Sequence, residues 1–254
     1  MPLSCAESGN DSMAEDMSQL AQELAEIPPA ELHDRLRVVV ERLSLEERFD
    51  LLHRLAVYHH PDSVSGAAAT LAETASLRDA LPRLVETRSV RSVLDIPCGD
   101  FHWMQHVALD VDYTGADIVR ELVVENQQRH GGGRRRFVVL DATRDTLPRA
   151  DLILCRDLLI HLSTRDCRAA LANFVASGSR FLLTSHFDKR PANPEIVSGD
   201  FRPINLCRPP FNFPQPIEII NERSALDGDA FSDRSMALWR LADLSDVIRK
   251  GDGA

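Results

Sequence analysis

Three aspartates share one kind of place in the sequence. Asp117, Asp141 and Asp157 close or directly follow the short apolar runs "YTGAD", "FVVLD" and "LILCRD". In an open parallel sheet, a carboxylate at the carboxyl end of a strand faces the crevice where such sheets bind ligands. Asp117 stands eighteen residues beyond Gly99 of "SVLDIPCGDFHWM". From there it can accept hydrogen bonds from both hydroxyls of a ribose. Asp141 is placed to meet the edge of an adenine, and Asp157, after Arg156, lies at the mouth of the crevice. Taken singly, each has an ordinary reading as a helix cap; their common phase with the strands points to a site. Base chemistry has three candidates: Asp157, His161 four residues on, where the two can share a helix face, and His186 at the end of "FLLTSH". Trp103 can offer the face of its indole to a cation.

The turn after "SVLDI" narrows the ligand. Its residues are Pro97, Cys98, Gly99 and Asp100, with proline where a glycine-rich dinucleotide motif has its first glycine. Proline fixes φ and has no N–H, so backbone donors must come from Cys98, Gly99 or Asp100. A pyrophosphate wants glycines and a free helix N-terminus, and this turn argues against one.

The elements that must position these residues follow from hydrophobic periodicity. Val93–Ile96, Tyr113–Asp117, Phe137–Asp141, Leu152–Cys155 and Phe181–Ser185 read as strands. They alternate with helical segments over Trp103–Val107, Val119–Gln128 and about Ser163–Val175. Continuous apolar strands separated by helices predict a parallel sheet covered on both faces. "IEIINE" and "SMALWRL" read as a terminal antiparallel pair. Before the alternation, residues 13–88 are read as a helical extension or cap. Ser44 and Glu47 form a capping box within it, and a long helix over Ala67–Val85 is bent by Pro82. Residues 1–12 are expected to be disordered, and residues 89–250 to form the α/β domain. Between its fifth strand and the terminal pair lies a proline-rich stretch, "KRPANPEIVSGDFRPINLCRPPFNFPQP". Long irregular segments of this kind are usually functional, and Arg202, Asn205, Arg208, Phe211, Asn212 and Phe213 are expected to form a substrate wall or lid.

The 254-residue chain has a formal net charge of −10, against the basic face that nucleic-acid binding requires. The basic run Arg134–Arg136 reads as a solvated loop. Five scattered cysteines without zinc spacing suggest free thiols and no metal site. No apolar run approaches the ~20 residues of a membrane span, and the acidic N-terminus does not resemble a secretory signal. A cytoplasmic location is expected.

From about Ser89 to Leu241 the sequence resembles the class I S-adenosylmethionine-dependent methyltransferases. "VLDIPCGD", "YTGADI", "VLDAT", "LILCRDLLIHL" and "RFLLTSHF" occur in order at that family's spacing. Within it, Asp95–Met104 and Arg202–Pro214 resemble a bacterial subgroup with D-x-P-C-G-D-F-x-W-M and R-P-x-N-L-C-x-P-P-F-x-F-P strings. The resemblance implies a Rossmann-like, doubly wound, seven-stranded sheet and S-adenosyl-L-methionine as cofactor. It implies that Pro97, Cys98 and Gly99 face the methionine part and Asp117 the ribose, with Asp95 also among the cofactor-binding residues. Ile118, Asp141 and Ala142 would surround the adenine, and Arg156 and Asp157 would lie near the transferable methyl. Trp103 is grouped with this set. "RPPFNFP" superficially matches a motif of enzymes that methylate planar nitrogens, but it follows the fifth strand and not the fourth, so that role is not carried over.

The function expected is methyl transfer to a small metabolite or natural-product intermediate, with possible homodimerisation through the N-terminal helices. The alternatives are a methyltransferase acting on a peptide or protein side chain, and a cofactor-binding partner protein without catalysis. The acceptor atom is left open.

Overall fold

A computed structural model describes residues 17–27 and 29–251; the expected disorder of residues 1–12 lies outside the described residues. The sheet has seven strands: β1 (Ser92–Asp95), β2 (Asp112–Asp117), β3 (Arg135–Val139), β4 (Leu152–Cys155), β5 (Phe181–Phe187), β6 (Glu218–Asn221) and β7 (Arg234–Arg240). Their order is β3-β2-β1-β4-β5-β7-β6. β1 to β5 run parallel, and β7 is antiparallel to both β5 and β6. The direction of winding reverses between β1 and β4. That is the topological switch point at which an open α/β sheet binds its ligand.

The strands form where they do because both faces are covered. β4 and β5 are buried along their whole length. One core cluster joins Leu94, Ile153, Leu182 and Trp239 to Phe174 and Leu171 of α6 (Thr164–Ala176). The other joins Val93, Leu152, Leu183 and Leu238 to Leu77, Leu81 and Leu84 of α4 (Ala75–Thr87). Burial of this kind contributes roughly 25 cal/mol per Å² of apolar surface and dominates the stability of such a domain. α5 (Arg120–His130) packs beside β2 and β3.

The N-terminal segment is helical, as its periodicity predicts: α1 over residues 17–25, α2 (Pro29–Val40) and α3 (Leu45–Arg54). Ser44 caps α3. Its hydroxyl accepts from Glu47 N, and the Glu47 carboxylate accepts from Ser44 N at 2.8 Å. Met17, Leu24, Leu36, Leu51 and Leu52 form a separate small core. Phe49 packs against both this core and that of the sheet, so α3 is docked onto the domain.

Two sequence expectations need correction. The single helix over Ala67–Val85 is a 3₁₀ turn at Ala67–Ala69 followed by α4, with Pro82 accommodated inside α4. A last helix, α7 (Leu241–Gly251), was not anticipated. Its signal was present: Leu241, Leu244 and Ile248 recur at helical spacing and are buried in the main core. Among the described residues, no helix is long and apolar enough to cross a membrane.

Candidate functional site

A cavity of about 600 Å³ opens at the carboxyl ends of β1, β2 and β4. Its floor is the β1 turn. Asp95 ends the strand, the Ile96–Pro97 peptide is cis, and Gly99 takes a left-handed φ of 53°. A Cβ at Gly99 would lie 2.3 Å from Ser65 Oγ, so a side chain there would displace Ser65, and the left-handed φ favours glycine as well. All three backbone donors of the turn are engaged by the protein. Cys98 N donates to Ala116 O (2.8 Å), Gly99 N to Asp117 Oδ2 (3.0 Å) and Asp100 N to Ser65 Oγ (3.1 Å). The Asp100 carboxylate accepts from Ser63 Oγ, Val64 N and Ser65 Oγ, which ties the loop before α4 to the turn. A phosphate would find no free nest of N–H groups here.

Asp117 sits at the end of β2 and is buried. Its Oδ1 accepts from Val119 N at 3.0 Å. Burial raises its pKa, and the Val119 and Gly99 N–H groups oppose that rise. Asp95 is also buried, and its Oδ2 accepts from Tyr113 OH at 2.5 Å. Burial pushes its pKa up to about 7 despite that hydrogen bond. Asp157, which has a left-handed φ of 63°, belongs to a closed ring of two arginines and two carboxylates. Arg156 meets Asp157 at 3.2 Å and Glu222 at 2.7 Å. Arg234 meets Glu222 at 2.9 Å and is hydrogen-bonded to Asp157. Burial alone would raise the Asp157 pKa, but the guanidiniums of Arg234 and Arg156 outweigh it and hold the carboxyl well below its usual range. Asp157 is therefore a fixed anion and a poor base. The Arg156 guanidinium lies 5.7 Å from the Trp103 ring centroid, so that indole face already has a cation near it.

His161 lies in a 3₁₀ turn (Leu159–His161) after β4. Its Nδ1 is 2.8 Å from the Asp200 carbonyl oxygen. A carbonyl only accepts, so Nδ1 carries the proton and Nε2 carries the lone pair. Burial lowers the pKa of this ring, keeping it neutral at physiological pH. Tyr58 and Phe201 flank it at centroid distances of 4.8 and 5.8 Å.

The expected adenine surroundings lie in a neighbouring narrow cleft of about 20 Å³, lined by Ile118, Asp141 and Ala142 and by Leu45 and Phe49 of α3. Asp141 accepts from Thr143 N and Oγ1 and pairs with Arg144 at 3.2 Å. Arg144 also pairs with Glu46 of α3 at 3.3 Å. The first turn of α3 thus roofs this end of the site.

The structure brings Asp95, Pro97, Cys98, Gly99, Trp103, Asp117, Ile118, Arg156, Asp157 and His161 to one cavity. It does not bring His186 there. That ring is buried, accepts from Leu206 N through Nδ1 and lies edge-on to Trp239. The substrate wall expected of Arg202, Asn205, Arg208, Phe211, Asn212 and Phe213 is also absent from the cavity. Arg202 is buried against Pro194 O and Cys167 Sγ, and Asn205 holds the Asp188 and Arg190 carbonyls. Phe211 and Phe213 belong to the main core, while Arg208 and Asn212 face solvent. Only Phe201 of that region reaches the site. Sequence reasoning missed Tyr58, Phe231, Glu222 and Arg234. The last two come from the β6–β7 hairpin, whose reach across the sheet edge has no local signature.

Among solved structures, human N-acetylserotonin methyltransferase in complex with SAM is similar to this chain. The identity is 13%, with a TM-score of 0.53 over 90% of this chain and 66% of that one. This chain therefore spans about two thirds of that enzyme's length. NodS, an N-methyltransferase from Bradyrhizobium japonicum WM9, aligns at 16% identity over 68% of this chain and 98% of that chain, with a TM-score of 0.48. No protein-family model and no curated protein matches the sequence. At these identities the likeness is one of fold: the sheet is that of a Rossmann-like class I methyltransferase.

Proposed function

We propose that this chain is an S-adenosyl-L-methionine-dependent methyltransferase acting on a small-molecule acceptor. The observation that carries the reading is the composition of the cavity at the switch point. Buried carboxylates of Asp95 and Asp117 face it, every N–H of the β1 turn is spent, and both nearby guanidiniums are neutralised. That donor set suits a cationic nucleoside and rejects a pyrophosphate. The cofactor, when bound, supplies a methyl group already activated on a positively charged sulfur. Asp117 accepts from the ribose hydroxyls through the lone pairs that Gly99 and Val119 leave free. Asp95 and the Pro97–Gly99 turn face the methionine portion. Ile118, Asp141 and Ala142 receive the base once the first turn of α3 moves aside. The ring of Arg156, Asp157, Arg234 and Glu222 holds the far wall rigid, so that an acceptor is aligned and water excluded.

The predominantly apolar lining of the rest of the cavity, of about 600 Å³ in all, favours a small acceptor over a peptide. Calorimetric titration with S-adenosylhomocysteine and with NADH tests the cofactor. Binding of the first alone is expected, and binding of NADH alone would refute the reading.

A further inference from the structure

The part of the cavity beyond Asp95 and Asp117 has a wall that methyl transfer as such does not require. His161, Phe201 and Phe231 follow one another along it, with Phe201 and Phe231 edge-to-face at 5.7 Å, and Tyr58 lies tilted against His161 at 4.8 Å. Phe201 is 43% exposed and lines the cavity. The position of His161 is fixed by more than its ring. Its carbonyl accepts from Gly199 N at 2.7 Å, and the preceding Ile160 carbonyl accepts from Arg202 N at 2.9 Å. The 199–200 segment that holds it is itself fastened from the extension: Tyr58 OH donates to Gly199 O, and Arg37 lies 3.7 Å from Asp200. Nε2 of His161 makes no hydrogen bond among the described residues. The guanidiniums lining the cavity belong to the closed ring with Asp157 and Glu222, and His53, also on its wall, lies 4.0 Å from Glu121, so no guanidinium among the described lining residues is left to pair with an anionic acceptor. Asp227, on the rim, is solvent-exposed, where screening leaves little attraction for a cationic one.

We infer that the acceptor is an uncharged aromatic hydroxyl compound, held in the corner between the Phe201 and Phe231 rings, flat on one and edge-on to the other, whose hydroxyl proton is taken by Nε2 of His161. This rests on the cofactor reading above. In the step, the acceptor's O–H bond breaks and its proton passes to Nε2. The acceptor oxygen forms a bond to the methyl carbon as the carbon–sulfur bond breaks. That electron pair stays on sulfur and cancels its positive charge. The imidazolium then returns its proton to solvent. The Asp200 carbonyl acts as a positioning group, because it selects the tautomer with Nε2 unprotonated.

The pocket can be read without turnover. Fluorescence titration of the whole protein with 2-naphthol, naphthalene, 2-naphthoate and 2-naphthylmethylammonium is expected to rank 2-naphthol first. It should bind about 3- to 10-fold tighter than naphthalene, the gain from one hydrogen bond. His161→Phe should abolish that preference while leaving S-adenosylhomocysteine binding unchanged, and Phe201→Ala should weaken all the ring compounds together. Tighter binding of the carboxylate or the ammonium, or a preference that survives His161→Phe, overturns the inference. With S-adenosylmethionine present, His161→Gln should lower kcat for 2-naphthol by about 10²- to 10⁴-fold. The loss should be far smaller for 4-nitrophenol, which ionises readily without help. Equal losses, or no turnover of either phenol, would overturn the role of His161. Failure of the wild type to bind S-adenosylhomocysteine would instead refute the cofactor reading, while the naphthol ranking still reports on the pocket.

Discussion

Asp95 is the residue whose protonation should respond to the ligand. Its carboxyl is pushed up to about 7, because burial disfavours the charged form more than the Tyr113 hydrogen bond favours it. A cationic ligand nearby favours the carboxylate, so binding below pH 7 must expel its proton. The affinity for S-adenosylmethionine should therefore rise with pH up to about 7, by as much as about tenfold per unit, and flatten above it. Calorimetry across that range, repeated in buffers of different ionisation enthalpy, checks both the slope and the released proton. Asp95→Asn should bind with no such slope; a slope that persists in the variant would contradict the assignment. Glu222 makes a separate residue-scale case. Its buried carboxylate bridges Arg156 and Arg234. Glu222→Ala leaves two buried guanidiniums to share Asp157, and removing one partner from such an assembly costs about 3–5 kcal/mol. Urea denaturation should show that loss, and a change below about 1 kcal/mol would mean the ring is not a structural unit.

At the scale of elements, α3 is the part whose motion the proposed placement of the adenine requires. Its first turn covers the narrow cleft beside Ile118 and Asp141, fastened by Arg144 between Glu46 and Asp141. The link to Glu46 is exposed and worth no more than about 1 kcal/mol, so it resists opening without preventing it. Glu46→Gln and Arg144→Gln should each speed association of S-adenosylhomocysteine about two- to fivefold in stopped-flow measurements. Slower association in both would mean that this end of α3 is part of the bound state and not a cover. The elements also show where sequence is a poor guide. The capping box of α3 was legible because it is a local pattern. The segment containing Arg202, Asn205, Phe211 and Phe213 was read as a substrate wall because it is irregular and rich in polar and aromatic residues. Those same residue types also satisfy buried backbone groups and fill a core, and they do so here. Nothing in local spacing distinguishes the two uses.

For the molecule as a whole, the alternation of apolar strands and helices was sufficient to expect a parallel sheet covered on both faces with an antiparallel end, and the strand directions agree. The phase of Asp117 and Asp157 against the strands located the mouth of the site for the same reason: strand period and topology fix where a carboxyl end lies. What sequence did not disclose came from contacts between distant segments. Glu222 and Arg234 reach Arg156 and Asp157 across the sheet, and Ser63 and Ser65 reach Asp100 from the loop before α4. Such pairings depend on the tertiary arrangement and leave no periodic trace.

The central claim is that this arrangement holds S-adenosylmethionine with Asp117 on the ribose. Calorimetric titration of the wild type, Asp117→Asn and Asp117→Ala with S-adenosylhomocysteine addresses it most directly, with thermal unfolding run alongside to confirm that each variant is folded. Saturable binding by the wild type, weakened about 10²-fold in a folded variant by the loss of charge-assisted hydrogen bonds, is the result this account predicts. No binding by the wild type, or equal binding by wild type and a folded variant, would contradict it.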